Sequence, residues 1–209
     1  MRLLIDASPQ SIVTHIGRDA YALHCGGFIT PRSGRDPGHF DNMVWGMDND
    51  CFRGFNRDNY LATLKRWQGR RGCLFVTVPD VVGNAAATMQ RFTLWRPAVS
   101  YYGYPVALVA QDGLQNMTIQ WCKFEALFIG GTTEWKLSQA TAELVREAKR
   151  RGKWIHMGRV NSNNRLQYAR AIGCDSVDGS SYAIIKYKTR QAIPALQRYN
   201  LPLWEGLCV

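Results

Sequence analysis

From about residue 44 onward, short apolar runs alternate with longer amphipathic stretches. The runs are rich in Val, Ile, Phe and Leu. They are MVWGMD ending at Asp48, CLFVTVPD ending at Asp80, PVALVAQD ending at Gln111 and Asp112, ALFIGG ending at Gly131, WIHMGRV ending near Arg159, and CDSVDG ending at Asp178. Runs that are apolar nearly throughout suit strands buried on both faces, as in a parallel sheet covered by helices. Between them, residues 57–68, 84–95, 134–151 and 162–172 read as helices. The third has the clearest signals: Thr132 or Thr133 is placed to cap its start, TAELVREAKRR carries charge along one face, and Gly152 stands just past its end.

A strand, loop and helix unit repeated this often in 209 residues predicts one domain, 1–209, folded as a TIM-like (β/α) barrel ahead of an open doubly wound sheet. The chain is short for eight strands, so a trimmed or irregular barrel is expected. The first forty residues are less regular. YALHCGGFIT supplies a first strand, and TPRSGRDPGHF, rich in Gly, Pro and Arg, reads as a long loop.

Polar residues at the carboxyl ends of parallel barrel strands converge on one mouth, where such barrels carry their sites. Asp48, Asp80, Gln111, Arg159 and Asp178 each end a different run, and Gly130 and Gly131 end another without a side chain in the way. Any one alone is most simply a cap or turn residue; together they point to a site. Several carboxylates at one mouth suit either Mg²⁺ binding or acid/base and nucleophilic chemistry at a sugar's anomeric carbon. We assign no metal site, the weaker of the two. His156, inside an apolar run, is expected to be a satisfied interior histidine, and His15, His24 and His39 are assigned nothing. GGTTEW precedes a helix but lacks the spacing of a P-loop.

Composition narrows the partner. With 26 Lys and Arg against 16 Asp and Glu, the formal charge is +10, and the basic residues recur along the whole chain, which suggests a polyanion such as nucleic acid. A hydrophobic fraction of 46% with 20% charged residues is ordinary for a globular domain. The six cysteines form no C-x-x-C pair and read as reduced core residues. No secretory leader or membrane-length apolar run is present, so a cytoplasmic protein without membrane contact is expected.

Taken in order, MDNDCF, VPDVVGN, VAQDGL, FIGGTTEWKLS, HMGRVNSNNRLQYA and GCDSVDGSS resemble the tRNA-guanine transglycosylase superfamily. The likeness runs from about Gly26 to Ser181. It is strongest to the DNA-acting branch, the DpdA-like 7-deazaguanine DNA modification proteins of phages and bacteria. The resemblance implies that Asp48, in DNDCF, acts in proton transfer, with Asp50 as the nearby alternative. It implies that Asp80 reads the purine's Watson–Crick edge and that Gln111 meets the exocyclic edge. Gly130 and Gly131 match the turn whose backbone meets the base carbonyl, and Glu134 follows as a contact. The second acid of the family's G-x-D-x-x-D strand is its nucleophile, which falls on Asp178; Asp175 becomes a supporting or structural acid, and Arg159 joins the substrate-binding set.

The reaction so implied is base exchange: guanine in DNA for a 7-deazaguanine such as preQ0, through a covalent glycosyl-aspartate, with no metal or redox cofactor. The guanine must be flipped out or single-stranded. Accessory proteins are compatible with this reading. The tRNA enzymes' C-x-C-x-x-C zinc site has no counterpart after Cys174, so neither a zinc subdomain nor its dimer contacts are expected. A tRNA-directed transglycosylase, a metal-dependent sugar-phosphate enzyme and a non-catalytic nucleic-acid-binding barrel stand as alternatives.

Overall fold

A computed structural model describes residues 1–36, 43–184 and 186–197. Eight parallel strands close into a barrel in sequence order: β1 (Arg2–Ile5), β2 (Cys25–Ile29), β3 (Trp45–Met47), β4 (Cys73–Thr77), β5 (Val106–Ala110), β6 (Ala126–Ile129), β7 (Trp154–Met157) and β8 (Ser176–Asp178). β8 pairs with β1 and completes the ring. The barrel read from the sequence is therefore present, and with all eight strands. The chain accommodates them by keeping each to three to five residues, and the pairing of β3 with β4 slips between Trp45 and Gly46. The strand missed in the sequence is β1, whose four residues RLLI sit too close to the first helix for any periodicity to show.

The helices among the described residues are α1 (Pro9–Ile16), α2 (Arg18–His24), α3 (Arg57–Arg66), α4 (Ala85–Tyr101), α5 (Thr133–Lys136), α6 (Gln139–Arg150), α7 (Asn163–Ala171), α8 (Ser180–Ile184) and α9 (Lys186–Gln197). The single helix expected over 134–151 is two. Thr132 caps α5 by accepting the Trp135 N–H, and Ser138 starts afresh by accepting the Thr141 N–H. The Thr141 hydroxyl then donates to the Trp135 carbonyl at 2.6 Å, which fixes the break. Gly152, at φ +70°, follows α6 as expected. The residues beyond Gln197, Cys208 among them, lie outside the described residues, as does His39.

Alternation along the strands divides the apolar residues in two. Leu4, Phe28, Phe75, Ala107, Val109, Ala126 and Phe128 fill the barrel interior. Their neighbours, such as Leu3, Ile29, Val76, Leu108, Leu127, Ile155 and Val177, face the helices in a larger core. Gly46 makes the interior possible, because a methyl group there would lie 2.6 Å from the Phe75 ring. Residues of the interior parity that continue past the strand ends open into the mouth.

Candidate functional site

A cavity of about 340 Å³ opens at the carboxyl end of the strands, a size suited to a small planar ligand. Asp48, Asp80, Gln111, Gly130, Arg159 and Asp178 all line it. The parity explains the gathering. Val109 is followed two residues later by Gln111, Phe128 by Gly130, His156 by Gly158 and Ser176 by Asp178, and each second member reaches the same mouth.

Three predicted residues are not at this site as expected. Asp175 stands before β8, at the opposite end of the barrel. Its carboxylate pairs with Lys149 at 2.7 Å and accepts the Ile155 N–H at 2.8 Å. It lies three positions before Asp178, an odd spacing, so a strand cannot present both on one face. Glu134 is exposed on α5 and does not line the cavity. Gly131 is spent internally: its N–H donates to Gln111 Oε1 at 2.9 Å, and its carbonyl accepts from Arg159. Of the two glycines only Gly130 lines the cavity, and it carries no side chain because a methyl group would lie 2.7 Å from Gln111 Nε2.

Asp80 and Gln111 form a buried pair in which Gln111 Nε2–H donates to Asp80 Oδ2. Asn49 completes the group. Its amide donates to Asp80 Oδ1 at 2.9 Å and to the Val78 carbonyl at 2.8 Å, and its oxygen accepts the Cys51 N–H at 2.8 Å. Burial pushes the Asp80 carboxyl up from its usual range, and the hydrogen bonds from Asn49 and Gln111 resist this. Asp48, on the cavity wall, accepts the Asn49 N–H at 2.8 Å. Its carboxyl is raised to about 7, first by desolvation and further by the negative charges of Asp178, Asp80 and Asp50.

Asp178 ends β8 with its side chain 14% exposed. Its Oδ1 lies 3.0 Å from His156 Nε2, and His156 Nδ1 lies 2.8 Å from Ser176 Oγ, which also receives the Trp154 indole N–H at 2.9 Å. The interior histidine expected from the sequence is thus satisfied, and it is in contact with the predicted nucleophile. The signal available was the pairing of Trp154-x-His156 with Ser176-x-Asp178, two alternating pairs on adjacent strands. Asn49 and Lys136 also escaped the sequence reading. Lys136, buried behind β7, donates to the Gly158 carbonyl at 2.6 Å.

Two arginines stand at the mouth. Arg53 lines it, and Arg159 lies over the exposed Phe52 ring at 4.7 Å. Other basic residues, including Lys65, Arg66, Lys149 and Arg150, occupy the last turns of α3 and α6. There they complement the helix dipoles at the end away from the mouth, so part of the net charge has a local structural account. Among the described residues, no three His, Cys, Asp or Glu side chains gather at metal-ligand spacing, and no helix is long and apolar enough to cross a membrane.

No family model matches the chain, and no curated protein matches it. Solved structures similar to it include the native KDPGal structure, at 14% identity over 92% of this chain and 95% of that one, with a TM-score of 0.46. A protein described as a glycerophosphoryl diester phosphodiesterase from Silicibacter pomeroyi matches at 12% identity over 73% of this chain, with a TM-score of 0.42; the chain spans 50% of its length. The Bacillus subtilis YkuI protein, with an EAL domain and solved with c-di-GMP and calcium, matches at 15% identity over 75% of this chain and 44% of that one, with a TM-score of 0.43. Likenesses this distant say nothing of substrate or chemistry. The parallel (β/α) barrel stands on its own strand pairing, and its polar mouth is the candidate site.

Proposed function

We propose that the protein is a glycosyltransferase of the base-exchanging kind, a DNA-guanine transglycosylase that replaces guanine in DNA with a 7-deazaguanine of the preQ0 type. The observation that carries this reading is the meeting of Asp178, Asp48 and the Asp80–Gln111 pair around one cavity of base-sized volume. Asp178 is the nucleophile. Its carboxylate bonds to C1′ as the C1′–N9 bond breaks, and the departing guanine takes a proton from Asp48. The incoming 7-deazaguanine then returns its N9 proton to Asp48 and bonds to C1′, which releases Asp178.

A carboxyl raised to about 7 is suited to both proton transfers, because it gives up and regains a proton near neutrality. Asp80 and Gln111, held against each other, present acceptor and donor edges to a purine. Arg53 and Arg159 at the mouth supply charge for flanking phosphates, which favours a nucleic acid over a free nucleoside. The chemistry asks for no redox cofactor, and the deazaguanine is a co-substrate.

The test is intact-nucleoside mass spectrometry of guanine-containing duplex DNA incubated with protein and preQ0, beside an Asp178→Ala control. Appearance of the deazaguanine deoxynucleoside with the wild type alone supports the reading. Exchange on tRNA but not on DNA moves the substrate, and absence of exchange on both overturns the assignment.

A further inference from the structure

The acid at the end of β8 does not stand alone in the cavity wall. One of its oxygens is held from beneath by a histidine with no exposed surface, packed against the rings of Phe28, Phe75 and Phe128 at centroid distances of 5.5, 4.8 and 4.7 Å. A polar ring in such a place requires a partner for each nitrogen, since an unpaired buried polar group costs about 1–3 kcal/mol. His156 has both partners.

The chemistry of the chain fixes where the protons lie. The Trp154 indole is only a donor, so Ser176 Oγ accepts from it at 2.9 Å and keeps its own hydroxyl proton to give. That proton goes to His156 Nδ1, 2.8 Å away. Nδ1 is then an acceptor, and Nε2 carries the hydrogen that points at Asp178 Oδ1, 3.0 Å away. The opposite tautomer would set the Nε2 lone pair against a carboxylate oxygen. Burial lowers the histidine's proton affinity, so the ring is neutral and donates without neutralising the acid. Among the described residues, Asp178 Oδ2 has no recorded hydrogen bond.

We propose that His156, anchored through Ser176 to Trp154, is the positioning residue of this site: it grips Asp178 Oδ1 and leaves Oδ2 as the single oxygen presented to the electrophilic carbon. The role rests on the transglycosylase reading for its electrophile, C1′ of the nucleotide, and goes beyond it in assigning three interior side chains to the reaction. Without the grip the carboxylate rotates about its Cα–Cβ and Cβ–Cγ bonds, and the attacking oxygen loses its in-line approach. A misplacement of about 1 Å costs on the order of 10²-fold in rate.

Two measurements test this. Long-range proton–nitrogen NMR of the imidazole reads the tautomer without any assay. The expected spectrum at pH 7 shows Nε2–H with an unprotonated Nδ1, and an Nε2–H resonance that moves in Asp178→Asn; an Nδ1–H tautomer or an imidazolium overturns the proposal. The second measurement is single-turnover base exchange. His156→Phe, which keeps a ring among the three phenylalanines, lowers the rate about 10²-fold with the half-saturating DNA concentration unchanged within about twofold. His156→Gln restores a donor near the Nε2 position and recovers at least about tenfold. Ser176→Ala keeps the imidazole, removes its anchor and costs about tenfold.

A His156→Phe protein with the wild-type rate overturns the positioning role, as does a loss equally shared by Gln and Phe. If the wild type exchanges no base on DNA or tRNA, it is the transglycosylase reading that fails, while the NMR measurement still decides whether His156 holds Asp178.

Discussion

Gln111 holds Asp80 by one end of its amide and the backbone of two loops by the other: Nε2–H donates to Asp80 Oδ2, and Oε1 accepts the N–H of Gly83 at 2.8 Å and of Gly131 at 2.9 Å. A residue expected only to touch a purine therefore also ties the loops after β4 and β6 to β5. Truncation removes more than a ligand contact, because the buried Gly131 N–H, the more open Gly83 N–H and the buried Asp80 carboxylate lose a partner together.

Gln111→Ala is accordingly expected to lose stability as well as base binding, on the order of 2–4 kcal/mol for the abandoned groups. Gln111→Glu keeps the acceptor for both N–H groups but faces Asp80 with a second carboxyl. It is expected to fold more stably than Gln111→Ala and still bind guanine weakly. Denaturant titration and equilibrium binding of the free base separate the two effects. Equal stability of the two variants would show that the loop contacts contribute nothing.

Asp48 supplies a prediction in pH. Its folded-state value of about 7 lies above the ordinary 3.8, so the folded protein binds this proton more tightly than the unfolded chain does. The stability it contributes is whole below about pH 4 and is lost as pH rises through about 7. Wild-type stability carries this falling component between about pH 4 and 7, and Asp48→Asn removes it. In the assay, guanine departure slows as pH passes about 7. Asp48→Asn is slower by about 10²–10⁴-fold and loses that dependence. A wild-type rate still climbing through pH 8 would exclude Asp48 as the proton donor.

The strand ends were legible because a parallel barrel buries both faces of each strand, which makes each a short apolar run whose first polar residue marks the mouth. That rule located Asp48, Gln111 and Asp178 directly, and Asp80 three residues past β4. What was not legible lay in side chains whose purpose depends on a neighbouring strand. His156 looked like filler until the register His156↔Ser176 set it beneath Asp178. Asn49 lies in a loop where no periodicity applies. For Asp175 the choice between a supporting and a structural role was open, and its odd separation from Asp178 already sends it to the other face of the strand, where it is structural.

The two acids of GCDSVDG therefore separate cleanly by experiment. Asp175→Asn weakens the half-exposed pair with Lys149, worth little by itself, and weakens the acceptor for the Ile155 N–H, worth about 1–3 kcal/mol. Its exchange rate stays within about twofold of wild type because the residue is a barrel's depth from the mouth. Asp178→Asn does the reverse, folding and binding DNA normally while exchange is abolished. Paired melting curves and exchange assays read both. A catalytic defect in Asp175→Asn at unchanged stability would return that residue to the site.

Lys136 gives a stability effect of opposite sign to that of Asp48. Burial pulls its amine from 10.5 down to about 7, and the nearby Arg159 charge adds to the fall. Between about pH 7 and 10.5 the unfolded chain holds a proton that the folded protein lacks, so stability rises with pH across that window, by roughly 5 kcal/mol. Below about pH 7 the ammonium is buried in the folded state at full cost. Lys136→Met removes the rise at the expense of one hydrogen bond to the Gly158 carbonyl, about 1 kcal/mol. The variant is thus expected to be the more stable protein at pH 6 and the less stable at pH 10. Together with Asp48, this places a minimum in wild-type stability near pH 7, which denaturant titration at intervals from pH 4 to 10 would reveal. If the curves for wild type and Lys136→Met run parallel throughout, the lysine is charged in the fold at every pH, and its bond to Gly158 is a charged one.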